Sequence, residues 1–322
     1  MKDIKQNTQR KILDYIYKGI PGLQIKRNER PDFRLKYKCL KYYYGVEVTE
    51  FYFDETSARL RNIPDYLGDL LSDKKYLHKK DRKTLKIEKV TIISKEGENK
   101  GEPEAIIHKS PSLLFCQEKI NQIIREKNNK YRKYNKTLHH INLIINDSEG
   151  FLFRIEAKDF YNIFYTHNII ESVVNSNFRE IYFITRVEKD KHVYFPLKMI
   201  LFLTRIFAFN SFINHQYPNK KEFEDEEYYR YFIEYLDYQG FKDIKVKNLN
   251  KTVEIIYGNI GFNIEDGKKI VLKDYQDFEM PNDAEPININ KYIFMNEKDK
   301  ANIDDLNNMI SFETEIVFSV KE

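Results

Sequence analysis

Asp32 and Glu47 are the two residues of this chain best placed to do chemistry together. Asp32 follows Pro31 at the start of one strand-like segment, and Glu47 lies 15 positions later in the next. A tight antiparallel pairing of the two segments brings both carboxylates to one place. Carboxylate oxygens suit Mg²⁺, which is commonly held by one or two of them while it keeps several waters. A cation held in this way activates a water and stabilises charge on phosphorus and on a leaving oxygen, as phosphodiester hydrolysis requires.

Strand alternation sharpens the expectation. Glu47 and Thr49 point to one face and Val46 and Val48 to the other. An acidic residue between two valines of a central strand is costly to bury unless something compensates it. A bound metal would do so; the alternative is an edge strand whose polar face is solvated. Glu29, two positions before Pro31, could reach the same ion from the start of the strand, or stand as a solvated loop carboxylate. Glu50 should face away from Glu47 unless the strand bulges there.

Several elements must position these groups. Ile12, Leu13, Ile16, Tyr17 and Ile20 repeat at helical spacing, predicting a helix over 7–19 that Gly19, Pro21 and Gly22 end. LQIKRNE, PDFRLKYKC and YYYGVEVTEFYF then read as three strands. Residues 55–71 are helical at both ends with Pro64 between them, and 73–112 reads as a basic insertion with a hairpin formed by KVTIIS and EAIIHK. A helix is expected over 117–134, with Ile120, Ile123, Ile124, Tyr131 and Tyr134 on one face. A buried strand at 140–147, a helix around 158–175 and a strand at 180–187 complete an alternating α/β pattern. A polar stretch with Pro218 marks a boundary at 214–224. Beyond it a helix at 225–239, the strands FKDIKVKN, TVEIIYGN and KKIVLKD, and a final strand ETEIVFSV are expected, with IEDGKK as a turn and the rest of the tail irregular.

Composition narrows the function classes. Across 322 residues, 54 basic side chains nearly cancel 50 acidic ones, so the net charge of +4 does not by itself announce nucleic-acid binding. Aromatics reach 15% without a single Trp, enough Tyr and Phe for a core or for base stacking. Cys39 and Cys116 are isolated and read as free thiols of a reducing compartment. The N-terminus lacks a signal core, and the apolar stretch Phe195–Phe209 is short and carries Lys198 and Arg205, so a cytoplasmic protein with no membrane partner is expected. No zinc spacing, GxxxxGK[ST] loop or GxGxxG turn is present.

The order helix, strand, PDFxL, strand, GVEVTEF resembles the PD-(D/E)XK, or restriction-endonuclease-like, nuclease superfamily. The string EVTEFYFDETSARLRNIPDYLGDLL is similar to an uncharacterised bacterial branch of it. The resemblance covers about residues 5–190, with the specific motif confined to 29–66. It implies a mixed sheet flanked by helices over residues 1–214 and leaves 215–322 as a smaller accessory α+β domain for recognition or assembly. It also implies a Mg²⁺- or Mn²⁺-dependent endonuclease acting on DNA, in bacterial anti-phage defence, with a protein partner or a second copy possible. Asp32 and Glu47 take the metal role, with the Val48 carbonyl and Glu29 as further ligands.

The chain departs from the motif at its lysine, which is replaced by Thr49. A threonine hydroxyl can hydrogen-bond a water but supplies no charge. Lys127, on the apolar-aligned side of the long helix, is the candidate substitute, or else a lysine snorkelling at the core edge. Arg59 and Arg61 are placed to contact a phosphate, with a structural salt bridge as the alternative for Arg59. The basic runs at 74–89 and 125–136, including Lys79, Lys80 and Arg132, interleave cations with Tyr and suit phosphate contact with base stacking, with a merely solvated face as the alternative for each. A non-catalytic nucleic-acid-binding or protein-interaction module on the same fold is the rival reading, and a salt-bridged acid pair would favour it.

Overall fold

A computed structural model describes residues 2–38, 40–52, 54–73, 78–108, 112–134, 136–148, 150, 163–186, 191–216, 225–249, 253–265, 269–275, 284–286 and 297–313. The chain forms two compact units, one of Met1–Phe51 with Ile120–Glu322 and one of Tyr52–Lys119. The larger unit begins with helix α1 (Lys2–Tyr17) and three antiparallel strands, β1 (Leu23–Arg27), β2 (Phe33–Tyr37) and β3 (Tyr43–Glu50). The smaller unit follows, with helices α2 (Glu55–Asn62), α3 (Tyr66–Asp73) and the single turn α4 (Asp81–Thr84). Its hairpin pairs β4 (Leu85–Lys89) with β5 (Glu104–His108). The hairpin's first strand therefore starts earlier than KVTIIS, because Leu85 anchors it among Tyr66 and Leu70.

Helix α5 (Leu113–Lys130) leads back into the larger unit, where β6 (Leu138–Asp147) pairs parallel with β3. Helix α6 (His167–Val174) and β7 (Ile181–Arg186), parallel to β6, follow, and β8 (His192–Pro196) closes the sheet as an antiparallel edge. The six-stranded order is β1-β2-β3-β6-β7-β8. The result is a mixed sheet flanked by helices, as expected. The helix placed around 158–175 is described only from residue 163 onward, with α6 inside that span.

The register sorts the side chains. Phe33, Leu35, Val46, Val48, Ile144, Tyr182 and Ile184 share one face and pack on Ile12, Leu13 and Tyr17 of α1. The opposite face of β2 and β3 carries Arg34, Lys36, Tyr43, Gly45, Glu47 and Thr49.

Helix α7 (Leu197–Gln216) packs with α8 (Asp225–Tyr238) against a five-stranded antiparallel sheet. Its strands are β9 (Lys245–Asn248), β10 (Val253–Tyr257), β11 (Ile260–Glu265), β12 (Lys269–Asp274) and β13 (Glu285–Pro286), and α9 (Glu297–Glu313) follows. Rings fill this core: Phe202 and Phe209 meet Phe232, Tyr235 and Tyr257, and Phe232 meets Phe262. The apolar run Leu197–His215 is long enough by composition to cross a membrane, but it is mostly buried within its own fold, with Lys198 and Arg205 buried along it. Glu180, fully buried, accepts the backbone N–H groups of Lys198 (2.8 Å) and Met199 (3.2 Å), satisfying orphan donors at the start of α7. Burial pushes the Glu180 carboxyl up and the neighbouring Lys198 ammonium down.

Strands β8 and β11 and helix α9 were not expected from the sequence. In β11, Gly261 sits where any Cβ would run into Glu254 and Tyr275, so close packing replaced strand propensity there. The expected strand ETEIVFSV lies outside the described residues, apart from Glu313, which ends α9.

The smaller unit is organised around one buried carboxylate. Asp81 accepts hydrogen bonds from Thr56 Oγ1 (2.8 Å), the Arg59 guanidinium and the Tyr66 hydroxyl. Burial alone would raise the Asp81 carboxyl, but these three donors outweigh it and hold it below the usual carboxylate range. A carboxyl depressed in this way contributes stability above its unfolded pKa and loses it as pH falls through the folded value. Asp81→Ala should therefore destabilise the protein by about 3 kcal/mol near neutral pH, by removing the buried acceptor that Thr56, Arg59 and Tyr66 share and leaving Arg59 only its exposed partner Glu55. Urea unfolding at successively lower pH should show the gap to wild type narrowing as Asp81 protonates; a constant gap contradicts the assignment.

Candidate active site

The pairing of β2 with β3 ends at Phe33–Val46. Beyond that point the Val48 N–H has no strand partner on this side, and Asp32 Oδ2 accepts it at 2.9 Å. The turn that delivers Asp32 is closed by Asn28 N–H donating to the Asp32 carbonyl at 2.8 Å. Phe33 belongs to the α1 face, so Asp32, one residue earlier, turns to the face that carries Glu47. Phe51 N–H donates to Asn146 O on β6, which places the backbone groups of odd-numbered β3 residues toward β6 and those of Val48 toward Asp32. The Val48 carbonyl is thus on the Asp32 side.

Pro31 is seated by Gly45. A Cβ at Gly45 would lie 2.6 Å from Pro31 Cγ, 2.9 Å from Leu138 Cδ1 and 3.0 Å from Ile141 Cγ1. Only glycine allows the turn to approach β3 this closely.

The third group arrives from α5. Ile120, Ile123 and Ile124 are buried, and Lys127 continues their stripe one turn later. Its Nζ donates to Glu47 Oε1 at 2.6 Å, while Glu47 itself is only 9% exposed. Tyr134, buried just after the helix, faces the same acids. Burial, reinforced by the charges of Glu47 and Asp32, holds its hydroxyl protonated well above the usual phenol range. In the sequence Tyr134 reads only as part of a helical face, and its hydroxyl at the end of that face is the signal for its place here.

Electrostatically the site is short of positive charge. Burial, then the neighbouring Glu47 charge, raises the Asp32 carboxyl, and the Val48 N–H, Lys127 and Arg27 only partly oppose this. Two carboxylates share one close ammonium, which leaves room for a further cation. Among the described residues no group of three or more His, Cys, Asp and Glu side chains gathers to hold a metal. A cation here would have two carboxylates, a carbonyl and water, a donor set that fits Mg²⁺ or Mn²⁺ and differs from a zinc cage.

The other residues singled out in the sequence stand as follows. Thr49 is half-buried on the Glu47 face, and Glu29 is exposed in the turn before Pro31. Glu50 lies on the opposite face, accepting from Asn146 Nδ2 at 2.8 Å. Arg59 belongs to the smaller unit, where its guanidinium engages Asp81 and Glu55. Lys80 pairs with Glu55 at 2.7 Å, Lys79 is exposed, and Arg61 is on α2 with its side chain outside the described atoms. Arg132 is exposed in the 3₁₀ turn after α5. Cys116 is a buried free thiol, and Cys39 lies outside the described residues.

Gly45→Ala should push the Pro31 turn off β3, weaken the Asp32–Val48 bond and cost about 1–3 kcal/mol through overpacking. Thermal unfolding together with amide exchange at Val48 tests this; unchanged exchange there would show that the turn does not depend on Gly45. No family model, curated protein or solved structure matches this chain.

Proposed function

We propose that the chain is a metal-dependent endonuclease-like hydrolase of DNA phosphodiester bonds on a PD-(D/E)XK-type scaffold. The observation that carries this is the convergence of Asp32, Glu47 and Lys127 on one sheet face, from a turn, a strand and a helix. The order helix, three antiparallel strands, helix, parallel strand supports the scaffold.

Mg²⁺ or Mn²⁺ held by Asp32, Glu47 and the Val48 carbonyl would supply water activation and charge stabilisation at phosphorus. The chain's own groups do the rest. The Val48 N–H fixes the Asp32 carboxylate, and Lys127 brings the positive charge that Thr49 lacks. The Thr49 hydroxyl, on the same face, can hold a water. Cytoplasmic location, a role in defence, and recognition or assembly by residues 215–322 belong to this same reading.

One observation favours a second reading. The Lys127–Glu47 bond already compensates Glu47 without a metal, as a non-catalytic nucleic-acid-binding or protein-interaction module would require. Incubation of wild type with supercoiled DNA, linear DNA and RNA, with Mg²⁺ or Mn²⁺, separates the two. Metal-dependent cleavage of DNA is expected, abolished by Asp32→Ala or Glu47→Ala and slowed about a hundredfold or more by Lys127→Met. Intact substrates under every condition would leave the non-catalytic reading.

A further inference from the structure

The sheet face that holds Asp32 and Glu47 continues outward as a row of cations. Register pairs Lys26 with Arg34 and Gln24 with Lys36, so Lys26, Arg34 and Lys36 share that face. Along β2 the outward positions run Asp32, Arg34, Lys36, in steps of about 6–7 Å. The row therefore starts at the acid pair and leads away from it. Arg34 stacks over the Tyr43 ring at 4.4 Å from its centroid, and Lys36 Nζ lies 5.1 Å from the same centroid. One aromatic platform thus orders two cationic heads in advance, which reduces what a ligand must spend to order them.

Among the described residues, Lys26, Arg34 and Lys36 make no ion pair, whereas Lys127, Arg59 and Lys80 all do. Residues 23–43 hold seven basic and two acidic side chains, a surplus of five against +4 for the whole chain. A surface with this much unpaired, aligned positive charge is complementary to a polyanion with regularly spaced charges, and arginine forks match phosphate oxygens.

We propose that Lys26, with Arg34 and Lys36 ordered on Tyr43, holds the phosphate backbone of a nucleic acid and leads it to the Asp32–Glu47 pair. This rests on the reading of that pair as a phosphodiester site, and it adds the track by which substrate reaches it. The contacts are to backbone, so binding is insensitive to base sequence and falls steeply with salt.

The test is equilibrium binding of the full chain to a fluorescent DNA duplex, by anisotropy over a salt series, with EDTA present so that cleavage plays no part. Lys26→Gln combined with Lys36→Gln should weaken binding at least tenfold at low salt. It should also make the slope of log K against log salt shallower by about 1.8, the value for two lost phosphate contacts. Arg34→Gln should remove about one more unit of slope, and Arg34→Lys should restore it. Arg10→Gln, on α1 across the sheet, should change neither quantity. Circular dichroism identifies any variant that fails to fold, and the Arg34→Lys comparison then decides. Wild-type affinity and slope in the folded double variant would overturn the proposal, as would the absence of salt-dependent binding by wild type. If wild type cleaves DNA while the double variant binds unchanged, the track fails and the catalytic reading stands. If the double variant loses binding and wild type never cleaves, the reverse holds.

Discussion

A carboxylate on a central strand has to be compensated where it stands, and Glu47 sets the terms for the groups around it. Taking two ions out of water costs several kcal/mol each, and their attraction only roughly repays it. The Lys127–Glu47 pair is thus poorly explained as a device for stability, since a well-packed apolar pair would do as well. Asp32 makes the arrangement harder to hold: a second carboxylate enters the same space with one N–H for support, and burial first, then the Glu47 charge, raises its pKa. Perturbed carboxylates of this kind concentrate at functional sites, and structural ion-pair networks produce them too.

Much of this was legible in the sequence, and what was missed has physical causes. The Pro31–Asp32 turn, the alternation around Glu47 and the apolar stripe of α5 each follow from short-range periodicity, and Lys127 stood out because it is the charged member of that stripe. Which element would sit opposite Glu47 depended on β6 returning parallel to β3, a long-range choice that no local pattern encodes. Strand β8 abuts α7 at Pro196–Leu197 without a loop, so a single apolar stretch concealed a strand followed by a helix. Arg59 shows the limit from the other side. Its residue type suits phosphate, but its partner, Asp81, lies 22 positions later and is buried, and only the packing of the smaller unit joins them.

The two faces of the six-stranded sheet have separate tasks. Toward α1, the side chains of β2, β3, β6 and β7 form a dry layer in which Phe33, Val46, Val48 and Ile144 are nearly inaccessible. Because alternation is strict, fixing that layer also fixes the opposite one: a one-residue slip of β2 would bury Arg34 and expose Phe33. The hydrophobic core is therefore what keeps Asp32, Arg34 and Lys36 in line with Glu47, although it touches none of their charged heads.

The connection from β3 to β6 completes the logic. Parallel neighbours cannot be joined by a hairpin and need a long crossover. Here the crossover contains the whole smaller unit and ends in α5, the helix that supplies Lys127. Loop-closure entropy grows only slowly with length, so an inserted unit costs the larger fold little as long as α5 still returns to the Glu47 face. What cannot vary is the last stretch of that path, from Ile120 through Lys127 to Tyr134, because it both covers the sheet and brings the ammonium and the phenol to the acids.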